Sequence, residues 1–167
     1  MSRLGAFLLL VLAVGGFAVY VLQAQPVWYE RLRYPLRYEA IVTAHAENYS
    51  LDPDLLAAVI YQESKFDASA RSSSGAVGLM QLLPGTAKGI ALRTGGHAFE
   101  VDDLLDKYGE EEAALAAYNA GQANVDQWRA AGKGIAFAET RHYVRRVERI
   151  RLIYARAYAS ELGLAAG

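Results

Sequence analysis

Residues Ala57–Phe66 read AAVIYQESKF, an apolar helical run that carries one acid, Glu63. Counted as a helix, Leu56, Val59, Ile60 and Glu63 fall at i, i+3, i+4 and i+7 of one face. Three of those side chains leave water readily; an ionised carboxylate does not. Glu63 also lies in the last turn, where the helix dipole is negative and a cation is the favoured neighbour. Both effects disfavour its charge and raise its pKa. A carboxyl that keeps its proton near neutral pH is what a general acid needs. The same position also suits a structural acid paired with Lys65 or an arginine at the helix end.

Outward from this run, SLDPDLL ends one helix and begins another, with Asp52 as N-cap candidate and Pro53 at the first helical position. Upstream, Tyr38, Ile41, Val42, His45 and Tyr49 form a helical stripe. Downstream, DASARSSSGAVG is a loop by its Ser and Gly content, LMQLL a short apolar turn or helix, and PGTAKGIAL a helix that RTGGHAF breaks. EEEAALAAYNAG has acids in its first turn and Gly121 as its stop. NVDQW is a shorter helix. The last helix runs from about Ala138 to Ser160, with Val144, Val147, Ile150, Tyr154 and Tyr158 as its stripe and arginines opposite. No useful period-2 run occurs, so a mainly α domain is expected.

The N-terminus differs in kind. Leu4–Leu22 is a run of 19 uncharged residues, and a hydrocarbon core of ~30 Å takes about 20 helical residues. It reads as an uncleaved signal-anchor, with a cleaved signal and a buried core helix as alternatives. PVWYERLRYPLRY follows, with Trp28, Tyr29, Tyr34 and Tyr38 among arginines, as either an interfacial belt or an ordinary linker. The expected organisation is a signal-anchor over 1–25, a juxtamembrane linker over 26–37 and a catalytic domain over 38–162.

The 167 residues carry a net charge of -1 and no cysteine. No basic field points to nucleic acid, and thiolate metal sites, disulfides and thiol nucleophiles are excluded. His45, His97 and His142 lack metal-ligand spacing and read as structural. Carboxylates remain. SSSGAVGLMQ adds glycines that let a backbone approach a ligand, and Gln81, which can both donate and accept towards sugar hydroxyls and acetamides. AAYNAG puts Tyr118 and Asn119 at another helix end, either as an orienting hydroxyl and its neighbour or as a core residue and a C-cap.

Taken together, LLAAVIYQESKFDASARSSSGAVGLMQLLPGTAKGIA, ALAAYNAGQANVDQW and IAFAETRHYVRRV resemble the soluble lytic transglycosylase family, of the lysozyme-like superfamily, which cuts peptidoglycan glycan strands. The match spans about Pro53 to Val147. The resemblance implies a lysozyme-like helical domain and a β-1,4 cleavage between N-acetylmuramic acid and N-acetylglucosamine that leaves a 1,6-anhydro end. It implies Glu63 as the single catalytic acid. Ser72, Gly75 and Gln81 match the loop lining the sugar subsites, and Leu83 an apolar subsite residue. Tyr118 matches the tyrosine that hydrogen-bonds the catalytic carboxyl, Asn119 its motif neighbour and Glu139 an acid at the groove edge. No metal or cofactor is implied. The partners implied are glycan strands and, through the N-terminal helix, the cytoplasmic membrane, with the domain on its outer, periplasmic side.

One stretch departs from the family. EVDDLLDKYG runs directly into the AAYNAG helix, as though a family helix were missing, which predicts a cavity or displaced neighbours. A catalytically silent peptidoglycan-binding or scaffold protein therefore stands as an alternative, beside a hydrolytic muramidase of the same chemical class.

Overall fold

The structure is a computed structural model that describes residues 2–94 and 100–164. The regular structure among them is helical: α1 Arg3–Ala24, α2 Val27–Arg33, α3 Glu39–Asn48, α4 Pro53–Ser64, α5 Pro84–Thr94, α6 Glu100–Tyr108, α7 Glu111–Ala120, α8 Gln122–Ala130 and α9 Ala138–Ala157. The RTGGHAF break, with His97, falls mostly on residues 95–99, which lie outside the described residues. The chain divides into two units, Met1–Pro35 and Leu36–Gly167.

In the first unit, α1 is long and apolar enough to cross a membrane, with a mean hydropathy of 2.5 over its best window. Its large side chains are exposed along the helix, from Leu4 and Phe7 to Tyr20 and Leu22, except for the buried Val21. Gln25 ends it in a left-handed conformation, and Pro26 starts the short helix α2, which occupies part of the expected linker. Trp28 of α2 stacks on Phe17, ring centroids 6.4 Å apart.

The second unit is built around α4. Leu55, Leu56, Ala57, Ala58, Val59, Ile60 and Tyr61 are all buried, so this helix is covered on every side rather than on one stripe. Burying each large side chain contributes roughly 1.5–3 kcal/mol. α3 and α9 pack on it. α3 contributes Val42 and Ala46, while Ile41 of the expected stripe points to solvent. α9 contributes Val144, Val147, Ile150 and Tyr154 of the expected stripe; the helix ends at Ala157 rather than near Ser160, and Tyr158 is buried as its C-cap. Tyr154 meets both Tyr61 and Phe66 edge-on, each at 6.2 Å between centroids.

The expectation of a missing helix ahead of AAYNAG is corrected. Residues Glu100–Tyr108 form α6, which buries Val101, Leu104 and Tyr108 and packs on α7. That i, i+3, i+7 spacing is an amphipathic helix in its own right. Its end is fastened to α8: the Tyr108 hydroxyl donates to Asp126 at 2.8 Å, and Lys107 Nζ reaches the same carboxylate at 2.8 Å.

A single arginine ties three helices together. Arg151 of α9 bonds Asp54 at 3.2 Å, Asp52 at 2.5 Å and Glu111. These acids sit at the N-termini of α4 and α7, where the dipole favours negative charge, and Arg151 offsets their mutual repulsion. Asp54 is buried, its other oxygen accepting from the Leu55 amide at 2.8 Å. Arg151→Met leaves that buried carboxylate unpaired and should lower the unfolding free energy by about 3 kcal/mol. Asp52→Asn removes an exposed partner and should cost less than about 1 kcal/mol. Urea midpoints of the two variants at neutral pH measure the difference.

Candidate active site

Glu63 sits where α4 stops. Lys65 and Phe66 both take left-handed backbone, φ +53° and +63°, so the chain reverses within three residues of the carboxyl. Such a conformation is uncommon for an aromatic residue, and the burial of Phe66 against Tyr154 holds it there. The reversal throws residues 67–83 back across the end of α4.

That loop is held by its own polar groups. The Ser72 N–H donates to the Ala76 carbonyl at 3.0 Å, and Ser72 Oγ accepts the Ala76 amide, also at 3.0 Å. Gly75 and Gly78 supply φ of +85° and +78°, which glycine adopts without strain. Gln81 Nε2 donates to Ala70 O at 3.1 Å and Gly78 O at 2.9 Å. Both amide protons are thus spent inside the loop, and Oε1 alone is left to face outward. The expectation that Gln81 both donates and accepts towards a ligand is corrected to acceptance only.

A cavity of about 250 Å³ opens between Glu63, this loop and the end of α7. Gln81, Leu83, Tyr118 and Asn119 line it, together with Ser74, Ala76 and Thr86. Ser72 and Gly75 do not line it; they shape the turn that presents Ser74 and Ala76. Asp67 is absent from its wall too, and its carboxylate is held by the Ser69 amide and hydroxyl at 2.8 and 2.6 Å. A second cavity of about 330 Å³ lies on the other side of Glu63, lined by Gln62, Asn119, Glu139, His142, Tyr143 and Arg146. Glu63 and Asn119 belong to both, so the two form one groove with the carboxyl at its middle.

The hydroxyl that reaches the carboxyl is Tyr143, which donates to Glu63 Oε1 at 2.7 Å. This corrects the role expected of Tyr118. The Tyr118 hydroxyl donates its one proton to the Met80 carbonyl at 2.6 Å and so pins the α7 end to the loop. Asn119 is oriented from α9: the hydroxyl of buried Thr140 donates to Asn119 Oδ1 at 2.9 Å, leaving the amide nitrogen for the groove. The sequence reading missed Tyr143, Arg146 and the groove position of His142, although Glu139, His142, Tyr143 and Arg146 follow i, i+3, i+4, i+7.

Burial pushes the Glu63 carboxyl above its ordinary value, and the Tyr143 hydrogen bond pulls it part of the way back. Among the described residues, no group of three or more His, Asp or Glu side chains is arranged to hold a metal ion.

Residues 40–106 match the family model described as the transglycosylase SLT domain. The transglycosylase of Enterobacteria phage PRD1 is 40% identical over 97 residues, covering 52% of this chain and 36% of that protein. The membrane-bound lytic murein transglycosylase F of Desulfosudis oleivorans is 36% identical over 104 residues, covering 53% and 23%. The fold also matches an inactive variant of the lytic transglycosylase Slt from Pseudomonas aeruginosa, with TM-score 0.71 and 31% identity over 84% of this chain and 27% of that one. This chain thus spans little more than a third, or less, of each relative.

The raised carboxyl has a consequence for stability. The folded state holds the Glu63 proton to higher pH than the unfolded chain does, so stability declines as pH rises from the ordinary carboxylate value through the raised one. Glu63→Gln should abolish that decline. Its thermal midpoint should equal or exceed that of the parent at neutral pH, and the two should converge in acid, as scanning calorimetry at a series of pH values would read.

Proposed function

Residues 40–106 match the transglycosylase SLT domain model, and on that premise we propose that this chain carries a lysozyme-like SLT domain and is a peptidoglycan lytic transglycosylase acting between N-acetylmuramic acid and N-acetylglucosamine. The observation that supports this most is the half-buried Glu63 carboxyl, proton-favoured and held by Tyr143, at the middle of a continuous groove. The catalytic unit is assigned to residues 38–162. The glycan strand lies along the groove, with Gln81 Oε1 and the Asn119 amide nitrogen as its polar contacts and Leu83 and Ala76 as apolar ones.

In this mechanism Glu63 gives its proton to the glycosidic oxygen as the bond to muramic acid C1 breaks. The acetamide of the same sugar stabilises the developing cation. Glu63, now a carboxylate, takes the proton from the C6 hydroxyl, and that oxygen closes on C1. The products together have the mass of the substrate, because no water is consumed. One carboxyl suffices, whereas most glycosidases need two, because the nucleophile belongs to the substrate and its effective concentration is high. Burial keeps the acid form available for the first step, and the Tyr143 donor stabilises the carboxylate formed for the second.

A hydrolytic muramidase is the second reading, favoured by Glu139 lining the same cavity as Glu63, where it could act on a water. Because peptidoglycan lies outside the cytoplasmic membrane, α1 is assigned as the anchor, with the domain on the outer side.

The full chain, purified in detergent and given murein sacculi, should release anhydro-ended muropeptides. Mass spectrometry separates these from hydrolysis products, which are one water heavier. Glu63→Gln should lower the rate roughly 10²–10⁴-fold; binding without any product would instead mark a silent glycan-binding domain. Tyr143→Phe removes the donor that lowers the Glu63 pKa. Activity requires the protonated acid and falls as pH rises through that pKa, so the alkaline limb of the pH–rate profile should move to higher pH while the maximal rate falls.

A further inference from the structure

The cavity beyond Glu63 carries a charge pattern that uncharged sugars do not call for. Glu139, His142, Tyr143 and Arg146 occupy one face of α9, and the Tyr143–Glu63 bond shows that this face looks into the groove. Arg146 lies one turn beyond Tyr143, about 4.5 Å along the helix axis. Three other arginines of α9 are committed elsewhere: Arg141 to the carbonyls of Ile135 and Ala136, Arg145 to His142 Nδ1 at 2.9 Å, and Arg151 to its three carboxylates. Among the described residues, Arg146 makes no ion pair or hydrogen bond and is exposed to the cavity it lines. Arg149, one turn further on, is likewise unpaired but lines neither cavity.

A guanidinium presents a planar fork of donors that matches a carboxylate in two parallel hydrogen bonds. Hydroxyls and acetamides, all that N-acetylglucosamine offers, need no such group. N-acetylmuramic acid differs by a lactyl ether, whose carboxyl is either free or amide-linked to a peptide that carries carboxylates of its own. A cation beside the scissile position is therefore where the two sugars can be told apart. The same wall holds Gln62, whose buried Oε1 accepts no hydrogen bond from the protein, and an amide N–H on the same substituent would satisfy it. Glu139, seven residues before Arg146, makes the wall acid at one end and basic at the other, which sets the direction in which an acidic substituent lies.

Resting on the transglycosylase reading above, we infer that Arg146 is a specificity-determining residue that binds a carboxylate carried by the muramic acid, in the cavity between α9 and the end of α4. The carboxylate belongs to the lactyl group or to the peptide attached to it.

The test uses the full chain in detergent and four glycan substrates. These are peptide-bearing strands, strands stripped of peptide by an amidase so that lactyl carboxylates are free, and each of these after carbodiimide coupling with methylamine to neutralise the carboxyls. Arg146→Gln should lower kcat/KM on charged strands roughly tenfold to a hundredfold, with the loss carried by KM. Arg149→Gln, the same change of charge one turn away, should change it by less than about twofold. On neutralised strands the Arg146 effect should vanish. An effect confined to peptide-bearing strands assigns the peptide carboxylate; an effect that persists on stripped strands assigns the lactyl one. Equal behaviour of the two variants, or an equal Arg146 loss on charged and neutralised strands, overturns the inference. Equilibrium binding in a Glu63→Gln background keeps the two readings apart. If the parent cleaves nothing, the transglycosylase reading fails, and Arg146 is still decided by whether Arg146→Gln weakens binding to charged strands over neutralised ones. Loss of any such preference, or no binding at all, overturns it.

Discussion

The burial of α4 is the constraint on which the rest of this domain depends. Seven consecutive residues, Leu55 to Tyr61, are out of water, so the helix has no solvent face along which a polar side chain could turn away. Its last turn carries Glu63 to the edge of the core, where one side meets packed protein and the other a groove. A carboxyl placed there feels low dielectric without being sealed. The helix itself is secured at its far end, where Arg151 gathers the acids of two helix N-termini. Packing and charge thus position the two ends of α4 by different means: a salt-bridge cluster at the start and an aromatic contact behind Phe66 at the finish.

The groove is made from three segments distant in sequence, and much of its polar chemistry is spent on holding them together. Ser72 closes the loop on itself, Gln81 gives both amide protons to that loop, Tyr118 anchors α7 to Met80, and Thr140 fixes the Asn119 amide. These bonds leave Gln81 one acceptor and Asn119 one donor group towards the cavities, fewer and more directional than the residue types imply. Groups locked in this way lose little rotamer freedom when a ligand arrives, which is the physical content of a preformed site.

Much of the fold is legible in the pattern of apolar residues. The stripe of α9, the start of α4 at Pro53 and the stop of α7 at Gly121 follow from local rules, while the Asp52 side chain caps nothing and turns to Arg151 instead. α6 was legible too, in the spacing of Val101, Leu104 and Tyr108, but comparison with a longer family pattern obscured it. What local rules do not show is which side of a covered helix meets which neighbour. Ile41 fits the stripe of α3 and yet faces water, because α4 meets the Val42 and Ala46 side.

For the site, the sequence by itself determined that Glu63 stands on an apolar helix at its negative end, followed by a glycine-punctuated loop and a Tyr-Asn helix terminus. These are properties of residue order, and they are enough to single out the acid. Only the tertiary structure decided which tyrosine holds it. Tyr118 and Tyr143 are equally capable phenols, and each has one proton to donate. The loop passes close enough to take the first at Met80, while the crossing of α9 over the end of α4 brings the second to Glu63. Hydrogen bonds reach about 3 Å, so a partner 80 residues away is chosen by how helices pack, and no reading of the chain in order contains that distance.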